Sequence, residues 1–114
     1  SDNVHMYLFT WPTPAFGGAL GSCHALEIPF VFNTLDAQGA SMFTGPVTDE
    51  VRELASTIHE AWTNFARTGV PAAEGLPEWP RYDPPRRATM VLGEHCSVED
   101  DPAAAELAVW EGVA

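Results

Sequence analysis

The chain has 114 residues, of which 46% are apolar and 11% aromatic, enough for one domain at most with a core of its own. Sixteen Asp and Glu stand against five Arg and no Lys, a formal net charge of −11 that would repel a phosphate backbone, so no nucleic acid is expected as a partner. No apolar run approaches the ~18 residues of a membrane span, and Ser1-Asp-Asn-Val4 carries neither the basic region nor the cleavage pattern of a secretory leader, so no membrane span or leader is expected and localisation stays open.

In chain order, Val4-His-Met-Tyr-Leu-Phe-Thr-Trp11 is apolar almost throughout. It predicts a strand of the kind that parallel sheets cover on both faces, ended by Pro12. A Gly-rich loop then leads into Gly21-Ser-Cys-His24-Ala-Leu-Glu27-Ile-Pro-Phe-Val-Phe32. Loops at strand ends commonly carry catalytic groups, and the proton affinity of imidazole suits a general base near neutral pH, which makes His24 the candidate site residue. From the residues alone, the competing reading is an ordinary loop histidine in a non-catalytic α/β structural or interaction domain. Glu27, three residues on, could touch His24 if the turn is helical.

The firmest element is a helix from Asp49 to Arg67. Thr48 caps it, Asp49 and Glu50 place negative charge at the positive end of the dipole, and Gly69 closes it. Val51, Leu54, Ile58, Trp62 and Phe65 recur at three- and four-residue spacing, so this face is expected to pack on the first strand. His59 lies off that stripe and reads as surface. Between Val70 and Arg87 five prolines disfavour helix and central strand and predict an ordered wrap or loop, anchored by Trp79 and Tyr82. Ala88-Thr-Met-Val-Leu92 predicts a short strand ended by Gly93, and Asp101 with Pro102 opens a short terminal helix carrying Leu107 and Trp110. Such a helix holds only by docking.

Cys23 abuts His24, and Cys96 abuts His95. Adjacent side chains diverge, whereas zinc sites favour ligands two to four residues apart, so two free thiols are expected and no metal. A Cys23–Cys96 disulfide would need α-carbons within about 7 Å.

The histidine stretch resembles the histidine loop of the type-B carboxylesterases, serine hydrolases that include bacterial para-nitrobenzyl esterases and cholinesterases. Trp62-Thr-Asn-Phe65-Ala-Arg-Thr-Gly69-Val-Pro71 and Leu76-Pro-Glu-Trp79-Pro-Arg-Tyr82-Asp resemble the C-terminal signature of that family, in the same order. The resemblance runs from about Val4 to about Trp110, yet covers only the final portion of such an enzyme. It implies that residues 1–114 are the C-terminal part of an α/β-hydrolase domain, an α+β fragment with one long central helix, one buried-type strand, a short second strand and a short terminal helix. It also implies that His24 is the triad general base for a small-molecule ester substrate, with no cofactor or metal, and that Glu27 is a buried supporting group.

A Gly-x-Ser-x-Gly nucleophile elbow is absent: Gly21-Ser22-Cys23 and Gly39-Ala-Ser41 lack the flanking glycines. In such hydrolases the triad runs serine, acid, histidine along the chain, so serine and acid are expected in a missing N-terminal part of the same enzyme. The chain alone is then inactive. Its apolar strand, left without neighbours, is expected to pair with a second copy as a homodimer. Ala25 departs from a Gly common in cholinesterase-like members, and Val70 from an acidic or amide residue; neither departure is expected to affect the imidazole.

Overall fold

The computed structural model describes residues 2–113. Three strands form one sheet in the order β1-β2-β3: Met6–Phe9 (β1), Ala88–Leu92 (β2) and Ser97–Asp100 (β3). β1 runs parallel to β2, with Met6 opposite Thr89 and Phe9 opposite Leu92, and β3 returns antiparallel, with Met90 opposite Val98. The central β2 carries the burial, since Ala88, Thr89, Met90 and Leu92 are all inside. Gly93 ends it where the chain turns tightly, because a Cβ there would run into the Thr10 side chain.

Two one-turn helices, α1 (Ile28–Val31) and α2 (Ser41–Thr44), precede the 20-residue α3 (Asp49–Thr68). The Thr48 hydroxyl accepts the Val51 N–H at 3.2 Å, and Gly69 closes α3 at φ 80°, in the left-handed region that glycine enters freely. α3 therefore begins where its cap predicts and runs one residue past Arg67. Its buried face is not centred on the large side chains, however. Val51, Ala55, Ile58 and Ala61 are buried, whereas Leu54 and Trp62 pack from the flanks and Phe65 stays exposed. Alanine on the inner face lets a neighbour approach closely, and that neighbour is α1, which places Phe30 in the core.

The proline-rich segment is an ordered wrap. Trp79 is buried and its indole N–H donates to the Met6 carbonyl at 3.2 Å, while the Tyr82 backbone N–H donates to the Val4 carbonyl at 2.7 Å.

Several expectations need correction. The first strand spans Met6–Phe9 rather than Val4–Trp11, Met6, Tyr7 and Leu8 are exposed, and among the described residues no strand pairs with the outer edge of β1. A buried-type sequence thus lies on a sheet edge. Its packing on α3 is limited to the aromatic rim, where the Tyr7 and Trp62 rings meet edge-on at 4.9 Å. β3 was not expected at all, since Ser97-Val-Glu-Asp100 offers only Val98 to the core. At the far end α4 spans Ala104–Trp110, with Ala103 rather than Asp101 at its N-cap, because Asp101 takes φ 47° and closes the preceding turn. No residue of α4 is buried, so it is not docked on the rest of the described chain.

Candidate active site

His24 lies on a tight turn whose two sides are held by different means. Upstream, Thr13 organises the loop that leaves β1. Its hydroxyl donates to the Phe43 carbonyl and accepts the Ala15 N–H at 3.1 Å, and its own N–H donates to the Gly21 carbonyl at 3.0 Å. The Ser22 hydroxyl then donates to the Phe9 carbonyl at 3.0 Å, tying the turn to the C-terminal end of β1. Downstream, Leu26 and Phe30 are buried, and the Phe30 ring sits between Phe9 and Trp11, each at a centroid distance of 5.1 Å. Between these anchors Ala25 adopts φ 67°, which reverses the chain and leaves His24 exposed.

The imidazole is thus carried beside the carboxyl end of the parallel pair β1–β2, the end at which open α/β sheets bind ligands. Among the described residues no hydrogen bond or ion pair engages its ring. Glu27 does not orient it. The Glu27 backbone carbonyl accepts from Phe30 and Val31 at 2.9 Å each, and its carboxylate is felt at Tyr7, whose phenol is pushed up mainly by burial and secondarily by that charge. Glu27 is half-buried rather than buried.

The two Cys-His pairs do not converge. Cys23 and Cys96 are free and half-buried, and among the described residues no three His, Cys, Asp or Glu side chains gather closely enough to hold a metal ion. An open cleft of about 730 Å³ is lined by Trp11, Pro14, Val51, Leu54, Glu94 and Cys96, among others, but not by His24. It does not reach the candidate base. Ser22 and Ser41 lie on a bend and at the start of α2, neither on a strand-to-helix elbow.

Two histidines carry more than the sequence suggests. His59 is exposed, as its place off the stripe predicts, yet its Nδ1 lies 2.8 Å from the Val31 carbonyl, and since a carbonyl only accepts, the ring donates. His5 was concealed in an apolar run. Its ring packs edge-on against Phe65 at 5.6 Å and Trp79 at 6.2 Å, and its Nδ1 is buried with no partner among the described residues. Burial, and secondarily the charge of Arg81, push its pKa down from the usual histidine value. His5 lines a cavity of about 200 Å³ with Tyr7, Trp62, Phe65, Pro71 and Trp79.

Comparison with known proteins shows the family. The family model described as "Carboxylesterase family" matches residues 1–110, and the chain belongs to that family. A para-nitrobenzyl esterase of Bacillus subtilis (strain 168) is 42% identical over 101 residues, which are 87% of this chain and 20% of that protein. A phenmedipham hydrolase of Pseudarthrobacter oxydans is 37% identical over 92 residues, 80% of this chain and 19% of that protein. A solved carboxylesterase of Geobacillus stearothermophilus superposes with a TM-score of 0.79 at 42% identity, over 95% of this chain and 22% of that one. The chain spans about a fifth of the length of these relatives.

Proposed function

We propose that the chain is the C-terminal, histidine-bearing segment of a serine carboxylic ester hydrolase, residues 1–114 forming the last part of an α/β-hydrolase domain. His24 is the general base of its catalytic triad. In the intact enzyme the His24 imidazole takes the proton from a serine hydroxyl supplied by the upstream part as the serine oxygen attacks the ester carbonyl. It returns that proton to the departing alcohol, then repeats the exchange with water to release the acid. A carboxylate from the same upstream part orients the ring. The substrate is a small-molecule ester, and the chain's other partner is the remainder of its own polypeptide; when isolated, it pairs with a second copy.

The observation that carries this reading is the His24 turn, which holds an exposed imidazole at the carboxyl end of β1 between the Ser22 tie and the buried Leu26 and Phe30. Without a serine elbow that base has nothing to activate, so the isolated chain should hydrolyse a short p-nitrophenyl ester no faster than imidazole in buffer. Faster turnover, lost on His24→Ala, would overturn the reading, because it would require a complete site within these residues.

A further inference from the structure

We propose that His59, on α3, is a positioning residue for His24; this rests on the reading of His24 as the general base. The two are linked through α1, which begins four residues after His24 and has a single turn. A helix of that length does not hold itself in water, and its last carbonyls have no partners within the helix. Three of its four carbonyls are met by the chain that follows: Ile28 by Phe32 at 3.1 Å, Pro29 by Thr34 at 2.9 Å and Phe30 by Asn33 at 3.1 Å. The fourth, Val31, is taken by the His59 ring at 2.8 Å.

The His59 bond joins segments 28 residues apart and supplies a directional contact between α1 and α3, where the core packing is apolar and non-directional. Seven residues earlier on α3, Arg52 grips Asp36 with a two-pronged ion pair at 3.0 and 3.1 Å. Seven residues are two helical turns, about 10 Å along the axis, so the two contacts hold residues 31–36 at two separated points. The Arg52 pair is open to solvent on both sides and fixes little by itself.

The turn is continuous from His24 to the tether. Leu26 donates to Cys23, Ile28 to Ala25, and Phe30 and Val31 to Glu27, so a rotation of α1 is passed to the backbone that carries the imidazole. The fit matters, because a misplacement of about 1 Å in a reacting group costs about 10²-fold in rate. Among the described residues no hydrogen bond or ring contact joins His59 to His24. It acts by holding the Val31 carbonyl.

The test uses the full-length enzyme as wild type, His24→Ala, His59→Ala and His59→Asn, the last because an Asn amide can donate from near the place of Nδ1. Hydrogen exchange over residues 22–33 needs no activity: His59→Ala should speed exchange there severalfold and His59→Asn should not. On a short p-nitrophenyl ester, His59→Ala should lower kcat about tenfold with KM within about twofold, and His59→Asn should recover most of it. Unchanged exchange over 22–33 in His59→Ala overturns the proposal. So does a kcat within twofold of wild type in an enzyme that His24→Ala silences. If His24→Ala remains active, the general-base reading fails instead, and with it the positioning role in catalysis.

Discussion

At the scale of single residues, the histidines divide by what surrounds them rather than by sequence context. His24 was singled out because its neighbours resemble a family motif; His5 was not, because within Val4–Trp11 it reads as one polar letter in a strand. Its character comes from Phe65 and Trp79, which arrive from α3 and from the proline wrap, 60 or more residues away. This placement has a pH consequence. The folded state lowers the His5 pKa below its usual value of 6.5, so the neutral ring is the form the fold accepts. Above 6.5 both folded and unfolded chains hold it neutral, and it contributes no pH dependence. As pH falls below 6.5 the unfolded chain takes up the proton first, and stability is lost until the folded-state pKa is passed. Thermal unfolding between pH 7.5 and 5 should therefore show a decline that His5→Phe reduces; an equal decline in both would mean that His5 is not the group responsible.

Among the elements, α3 was the most legible, because a helix declares itself through local chemistry. The Thr48 cap, the acidic first turn and Gly69 all act within a few residues of sequence. Which side faces inward was less legible. The large residues of the expected stripe, Trp62 and Phe65, lie toward the rim, while Ala55 and Ala61 share the interior with Val51 and Ile58, and the small alanines let α1 approach closely. β3, and the failure of the expected terminal helix α4 to dock, were hidden for a related reason: an edge strand with one inward residue has no strong period, and docking is decided by surfaces outside the element. Two substitutions test the α3 account by chemical unfolding. Thr48→Ala should cost about 1 kcal/mol through loss of the cap, and Ile58→Ala, at a fully buried position, about 2–5 kcal/mol through lost burial and the cavity left behind. Equal costs would contradict the division of labour between cap and core.

For the molecule as a whole, the surface tells against independence. Met6, Tyr7 and Leu8 are exposed on a sheet edge, and α4 exposes Val109 and Trp110 at 72% and 69%. An unpaired strand of this composition offers its open amides and carbonyls to any neighbour, and burying its apolar surface is favourable by about 25 cal/mol per Å². Antiparallel pairing of two β1 edges about a two-fold axis is the simplest closed arrangement. The net charge of −11 opposes it, but screening over about 8–10 Å at physiological ionic strength weakens that opposition, so the charge should tune the pairing rather than prevent it. Sedimentation equilibrium of the isolated chain at moderate salt should accordingly give a dimer, and a mass near 12.3 kDa across a wide concentration range would exclude it. This chain spans about a fifth of the length of its relatives, and on the proposed reading the same surfaces are offered to the remainder of its own polypeptide. The most direct test of the central claim is therefore turnover of a p-nitrophenyl ester by the full-length polypeptide with and without His24. His24→Ala should lower kcat by at least about 10⁴-fold with the fold intact by circular dichroism; a variant that keeps its turnover to within tenfold would contradict the assignment of the general base.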